Sequence, residues 1–142
     1  MSPLAAQLGA AFGNVKTPSF DKVLKPALYD REDCEPIVVL SELYPFDSIL
    51  LENEPLIDEV VLHLSTEGRL FLFPKLFQYF LNNPESETSN LFSSVATLVN
   101  DYPLKRPKRP TRDWLASMTP TQQLVINVAV FKLFGFKKAD VS

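Results

Sequence analysis

The residue types that most often perform catalysis or bind metals are scarce in this chain. A single cysteine, Cys34, and a single histidine, His63, occur among 142 residues. One cysteine excludes an internal disulfide and a cysteine-based zinc centre, and one histidine excludes a histidine-rich metal site. Cys34 lies between acidic residues, which disfavour the reactive thiolate. His63 lies in an apolar run, so we expect a hydrogen-bonded packing residue rather than a general base.

The sequence also gives no specific evidence for a phosphate-binding loop or for a catalytic pair of carboxylates. The four glycines do not form the GxGxxG or GxxxxGK[ST] patterns that hold phosphates. Between Asp30 and Glu59 there are ten acidic residues, so close carboxylate pairs of the kind used by glycosidases arise there by chance. That segment also lacks the glycine of a calcium loop. We therefore expect no enzymatic activity and no cofactor, with an all-carboxylate or Ser/Lys site as the remaining alternative.

Charge is unevenly distributed along the chain. The net charge is −3, but the segment from Asp30 to Glu59 carries −9 and the remainder +6. The acidic segment supplies a candidate protein-binding face, with Asp58 and Glu59 joined by Glu32, Asp33, Glu35 and Glu42. Five bases lie between residues 105 and 112, namely Lys105, Arg106, Lys108, Arg109 and Arg112. Charged faces accelerate the association of partners, although both segments are equally compatible with ordinary solvated surface.

Cap-and-proline signals divide the chain into predicted helices. These helices must position the charged groups. Ser2-Pro3 predicts a helix through about Phe12, and Thr17-Pro18 predicts a short helix that ends at Pro26. Thr119-Pro120-Thr121-Gln122 combines an N-cap, a first-turn proline and a capping box, and predicts a helix that runs through Phe134 and stops at Gly135.

The middle of the chain gives weaker signals. We prefer a helix over Cys34–Leu43, with a strand at 37–40 as the alternative, and Leu56–Leu64 is compatible with a short helix or a buried strand. We expect a turn at Glu52–Pro55. Further helices are predicted over Leu70–Leu81, with Pro74 in the first turn, and over about Ser89–Asn100. A basic, proline-rich connector at about 101–113, a helical turn over Arg112–Met118 and a frayed tail at 137–142 complete the assignment.

These elements predict one all-α domain over residues 1–142, with five to seven helices. The helix Thr119–Phe134 is apolar nearly all round, so we expect it to be the most buried element and expect Val128→Asp to prevent folding. We expect the cluster Phe71, Phe73, Phe77, Tyr79 and Phe80 to divide between core and interface. No apolar run reaches the roughly 18 residues that cross a bilayer, and no basic segment opens the chain, so we expect a cytoplasmic protein without membrane contact.

Several short motifs resemble a family of small bacterial proteins known as a domain of unknown function. Ala11, Phe12, Val15 and Pro18 match the end of its first helix, and Asp33-Cys34-Glu35 is similar to its acidic Cys-Glu segment. Leu64–Pro74 resembles its Leu-Thr-Pro-Glu-Gly-Phe-x-Tyr-Tyr-Leu-Pro run, and Met118–Gln122 resembles its Leu-Thr-Pro-x-Gln helix. The resemblance implies a compact, mostly helical, cytoplasmic bacterial protein and brings no catalytic residues.

The sequence thus favours a protein-binding module, such as an immunity protein, an inhibitor or an adaptor. Its acidic face and aromatic surface would bind a protein partner, and a homo-oligomer is compatible with the sequence. The alternative is a nucleic-acid-associated protein that uses Lys105–Arg112, because lysine and arginine neutralise phosphates.

Overall fold

The computed structural model describes residues 2–25 and 41–137, which form α-helices joined by short turns. Six α-helices have both ends in these ranges: α1 Pro3–Phe12, α2 Glu54–Val61, α3 Thr66–Asn82, α4 Asn90–Leu98, α5 Arg109–Ala116 and α6 Pro120–Phe134. Short 3-10 helices cover Phe20–Lys22, Leu51–Asn53 and Pro84–Thr88. Extended pairing among these residues is limited to one isolated bridge between Leu24 and Leu64. The all-α prediction is confirmed.

The predicted caps of α1 and α6 form as the sequence indicates, whereas Thr17-Pro18 caps no helix and is followed only by the 3-10 helix Phe20–Lys22. Ser2 Oγ accepts a hydrogen bond from Ala5 N, and Pro3 opens α1. At α6, Thr119 Oγ1 accepts from Gln122 N, while Thr119 N donates to Gln122 Oε1. Gly135 ends α6 with φ of 74°, a left-handed conformation that glycine adopts without steric cost.

Other predicted boundaries need correction. α3 begins at Thr66, with Ser65 as its N-cap, so Pro74 lies inside the helix rather than in its first turn. The expected turn at Glu52–Pro55 is the end of a 3-10 helix followed by the first turn of α2. The basic connector is partly helical, because α5 already begins at Arg109.

Part of the sequence assignment cannot be compared with the structure. The candidate strand at 37–40 and the helix over Cys34–Leu43 lie outside the described residues, except that residues 41–43 are helical. The frayed tail at 137–142 also lies outside them apart from Lys137, which is exposed.

The core is built around α3, which packs against α1, α5 and α6, while α2 packs against α4. Both faces of α3 are buried, so the aromatic cluster between Phe71 and Phe80 belongs to the core throughout. The Trp114 ring of α5 makes an edge contact with Phe73, with the ring centroids 5.3 Å apart. Edge-to-face packing of this kind adds to the stabilisation from burial.

Helix α6 is not the most buried element, contrary to the sequence-based expectation. Its core face packs against α1 and α3 and contains Ile126, Ala129, Val130 and Leu133. The opposite face is open, since Leu124, Val128 and Phe131 are 67%, 55% and 57% exposed. An all-round apolar pattern is normal for a central helix, but α6 lies at the edge of the described bundle, where only one face has neighbours.

Candidate functional site

The predicted acidic face is only partly visible in the structure. Glu42 is exposed within the 41–43 helical turn, and Asp58 and Glu59 lie near the end of α2. Glu32, Asp33 and Glu35 lie outside the described residues. Nothing in the described ranges therefore tests whether the six candidates form one surface.

Two of these acids line a cleft where α2 meets the start of α4. The cleft has a volume of about 340 Å³, within the usual range for small-molecule pockets. We call it the acidic cleft, and its lining residues are Leu51, Glu54, Pro55, Asp58, Glu59, Ser89, Asn90 and Leu91. Glu54 and Asp58 are one helical turn apart, so the cleft receives carboxylates from a single face of α2.

Glu54 is the unusual member of the acidic cleft. Glu54 is only 6% exposed, and its Oε1 atom has no hydrogen-bond partner within 3.5 Å among the described residues. Burial, together with the adjacent Glu54 carboxylate, raises the pKa of Tyr79 to about 12. A buried carboxylate oxygen without a donor carries an uncompensated desolvation cost. The Tyr79 hydroxyl of α3, whose hydrogen bond with the Glu54 side chain contributes to that pKa shift, offsets part of this cost.

The other two carboxylates of the cleft differ in their surroundings. Asp58 Oδ1 accepts a hydrogen bond from the Ser94 hydroxyl of α4, which ties α2 to α4. Glu59 is exposed to solvent. Ser89 caps α4 by accepting from Phe92 N at 3.2 Å, and the positive end of the α4 dipole favours acidic groups nearby.

The basic segment, residues 105–112, is anchored at one point. Asp101 is buried, and its carboxylate accepts from Lys108 N and from Thr111 Oγ1, each at 2.7 Å. Burial lowers the pKa of Arg69, and the negative charge of Asp101 opposes that shift. The Arg69 guanidinium also lies 5.5 Å from the Phe73 ring centroid. Asp101 thus links the core to the start of α5.

All five bases of the segment point to solvent. Lys105, Arg106, Lys108, Arg109 and Arg112 are exposed. Arg109 Nε lies 3.4 Å from Asp113 Oδ2, one turn along α5. The flanking aromatic residues, Tyr102 and Trp114, are both fully buried. They are therefore withdrawn from stacking on nucleic-acid bases, the contact by which aromatic side chains bind single strands.

The open face of α6 forms the main exposed apolar feature that we find on a helix. Leu124, Val128 and Phe131 follow the spacing i, i+4, i+7, and we call them the apolar stripe. They lie on the side of α6 opposite its core residues. Exposed apolar surface concentrated in one place marks interaction sites in soluble proteins.

A second cleft, of about 340 Å³, lies between α3 and residues 46–49. Its two charged lining residues are already paired, because Lys75 Nζ lies 3.1 Å from Asp47 Oδ1. Lys75 also lies 4.9 Å from the Phe71 ring centroid. This cleft therefore offers no unsatisfied charge to a ligand.

Within the described residues, the single histidine takes part in no ion pair, and its hydrogen bonds are made by its backbone. His63 is half-buried in the turn between α2 and α3, and its carbonyl accepts from Lys25 N at 2.7 Å. Cys34 lies outside the described residues. Within residues 2–25 and 41–137, no three His, Cys, Asp or Glu side chains are placed to share a metal ion. In the same ranges, no helix has the length and apolar character needed to cross a bilayer.

Comparison with known proteins adds no relatives: the chain matches no family model, no curated protein sequence and no solved structure.

Sequence reasoning missed two features of the site. It placed Glu54 in a turn, although an acid followed by proline is a usual beginning for a helix, as it is in α2. It also placed the apolar stripe in the core, because the apolar pattern of α6 does not reveal which face lacks a neighbour.

Proposed function

We propose that the protein is a non-enzymatic protein-binding module of the immunity-protein, inhibitor or adaptor kind. The observation that carries this proposal is the apolar stripe on α6, where three large apolar side chains are more than half exposed. A partner helix laid along α6 would bury them at the i, i+4, i+7 spacing that helix recognition uses. The resemblance to small bacterial proteins is compatible with such a role in the cytoplasm.

The acidic residues would supply the electrostatic part of this recognition. Glu42 and Glu59 are exposed, and Asp58 lines the acidic cleft beside Glu54. An acidic surface attracts a basic partner and can occlude the basic site of a nuclease. Such steering acts mainly on the association rate and weakens as salt screens the charges.

Partner capture by the full-length chain tests the proposal when matched variants are compared. We expect the triple variant Leu124→Ser, Val128→Ser, Phe131→Ser to lose partners that the wild type retains. Leu62→Ser is the control, because Leu62 is about as exposed but lies outside the stripe. Capture that is equal for the wild type and for the stripe variant would reject the stripe as the docking surface.

The acidic contribution is tested separately by reversing Glu32, Asp33 and Glu35 to lysine. If the acidic face docks, these reversals abolish capture at low salt, and high salt weakens capture by the wild type. Capture that persists after the reversals and is insensitive to salt would show that the acidic face is not used.

The second candidate function is nucleic-acid association through the basic segment. It is favoured by the exposure of all five bases and by the anchoring of the segment at Asp101. Mobility-shift assays with DNA and RNA test it, and Arg106→Ala with Arg109→Ala should abolish any shift. Binding that is lost in this variant, together with no stripe-dependent protein capture, would favour this function over the first.

A further inference from the structure

The open face of α6 has the spacing of a helix–helix seam. Thr121 and the apolar stripe, formed by Leu124, Val128 and Phe131, are all exposed and follow one another at intervals of three, four and three residues. This alternation is the a/d pattern by which two helices pack along their length. The core residues of α6, such as Ile126, lie on the opposite side of the helix. One face of α6 therefore serves its own molecule, and the other is shaped for a second helix.

These four positions are symmetric about residue 126. Thr121 and Phe131 lie five residues on either side of it, and Leu124 and Val128 lie two residues on either side. When a second α6 runs antiparallel, with a twofold axis at this level, Leu124 of each copy meets Val128 of the other. Each Phe131 ring then meets Thr121, whose small side chain leaves room for the ring. The surface is complementary to itself, as an isologous dimer requires.

The charges of α6 favour the antiparallel direction. Lys132 is the only charged residue of the helix, and it is exposed beside the stripe. It lies six residues from the axis at residue 126, so an antiparallel pair separates its two copies by about 18 Å along the helices. A parallel pair would place them side by side. The antiparallel pair also brings the positive end of each helix dipole to the negative end of the other. Since α6 carries no acidic residue, the stripe has no charge that would select a basic partner helix instead of a second copy.

The area of the stripe fits a weak dimer. Full burial of a large apolar side chain removes on the order of 150 Å² from water, so the stripe residues, 67%, 55% and 57% exposed, supply roughly 250 Å² per copy. Apolar atoms form about 65% of a homodimer interface, so two stripes correspond to a total contact of roughly 800 Å². Stable interfaces bury about 1,200–2,000 Å². A weak dimer agrees with a protomer that already has its own core around α3.

We propose that the apolar stripe of one copy binds the apolar stripe of a second copy, by antiparallel pairing of two α6 helices in a closed homodimer. The inference rests on the proposed function, because it assigns an occupant to the same stripe. The twofold contact occupies both stripes, so the assembly ends at two copies. Its dissociation constant should lie above about 1 μM, since interfaces of about twice this area already extend to micromolar affinity.

Sedimentation of the full chain tests the proposal over concentrations from about 1 μM to about 1 mM. We expect the average mass of the wild type to rise from 16.0 kDa towards twice that value and no further. Between about 0.05 M and about 0.5 M salt, the dissociation constant should change less than about threefold, because apolar burial rather than charge holds the contact. A mass that remains 16.0 kDa at the highest concentration, or that continues beyond the dimer, would overturn the proposal.

Substitutions within the stripe locate the contact. Val128→Asp should remain monomeric at every concentration, because a dimer would bury the new carboxylates of both copies in an apolar contact. Leu62→Asp is the control, since Leu62 is 49% exposed and follows α2, away from the stripe; it should dimerise like the wild type. Circular dichroism verifies that both variants are folded. Leu124→Ser with Phe131→Ser repeats the test without a new charge and should raise the dissociation constant at least about tenfold. Stripe variants that dimerise like the wild type would reject the contact.

A distance measurement tests the direction of the two helices. A spin label is attached at Lys132→Cys in a chain that also carries Cys34→Ser, so that each copy has one label. In the antiparallel dimer, electron–electron resonance should place the two labels at least about 18 Å apart. In a parallel pair, they would lie about as close as the helix axes, which are roughly 10 Å apart. The shorter distance would overturn the antiparallel arrangement.

The remaining outcomes separate this inference from the proposed function. A wild type that stays monomeric but captures another protein through the apolar stripe would overturn the homodimer and leave the binding module intact. A stripe-dependent dimer, without stripe-dependent capture of any other protein, would support the inference and remove the stripe from the proposed function.

Discussion

At the scale of single residues, Asp101 connects the basic segment to the core. Its buried carboxylate accepts from Lys108 N and Thr111 Oγ1 and lies in the field of the buried Arg69 cation. Asp101→Asn would remove the charge that compensates Arg69, so we expect a loss of about 3 kcal/mol in the free energy of unfolding, measured by urea denaturation. Asp113→Asn, which breaks only the exposed pair with Arg109, should cost under about 1 kcal/mol. Equal denaturation midpoints for the two variants would contradict this role.

At Gly68, the backbone of α3 lies close to the backbone at Val23. A Cβ atom at this position would lie 2.0 Å from the Val23 carbonyl oxygen, which already accepts from Ser65 N. The carbonyl is held in place, so Gly68→Ala should destabilise the fold by about 1–3 kcal/mol or more. At Gly9 the nearest atom is the end of the Gln78 side chain, at 3.2 Å, which can move. Gly9→Ala should therefore be neutral or stabilising by up to about 1 kcal/mol, and a thermal melt distinguishes the two variants.

Two tyrosines make stability sensitive to alkaline pH. Burial raises the pKa of Tyr102 to about 12, and burial with the Glu54 carboxylate raises that of Tyr79 to about 12. In the unfolded chain a tyrosine loses its proton near pH 10, so between these values the unfolded state binds fewer protons than the folded state. Stability should therefore be intact below about pH 10 and should fall as the pH rises towards 12.

Denaturation midpoints at a series of alkaline pH values measure this effect, and phenolate absorbance follows the titration. Tyr102→Phe should make the fall shallower than in the wild type. A stability that is constant across this range would contradict the raised pKa values.

At the scale of elements, α6 combines a buried face with an exposed one. Ile126 is fully buried, whereas Val128 is 55% exposed. We therefore expect Ile126→Asp to prevent folding, because it places a charge in the core. Val128→Asp should change the free energy of unfolding by about 0.5 kcal/mol or less, as surface substitutions usually do. Circular dichroism during thermal unfolding measures both, and loss of folding in Val128→Asp would restore the sequence-based expectation of an enclosed α6.

The same helix shows what local sequence can and cannot specify. Both ends of α6 could be predicted from Thr119, Gln122 and Gly135, because caps act through hydrogen bonds and φ angles within one turn. The beginning of α3 was placed too late, at Leu70 instead of Thr66. The burial of α3 rather than α6 depends on which helices surround each one, and that information lies in distant parts of the chain. The acidic cleft was unpredictable for the same reason, since it joins residues 51–59 to residues 89–91.

At the scale of the whole molecule, the helices form two packed groups. One group surrounds α3 and contains α1, α5 and α6, and the other is the pair α2 and α4. Aromatic rings connect them: the Phe92 centroid lies 5.0 Å from that of Phe80 in α3 and 4.9 Å from that of Phe134 in α6. The Phe92 ring of α4 is therefore packed into the same core as α3 and α6.

This connection predicts that the described helices unfold together. Trp114 is the only tryptophan and packs against Phe73 and Phe77, so its fluorescence reports on the group around α3. Far-ultraviolet circular dichroism reports on all helices, including α2 and α4. We expect the two probes to give coincident urea transitions, as in two-state unfolding. Phe92→Ala, which removes the partly buried linking ring, should lower the common midpoint by the equivalent of about 2–3 kcal/mol. A circular dichroism transition in the wild type that precedes the fluorescence change would instead show that α2 and α4 unfold independently, and that Phe92 does not couple the two groups.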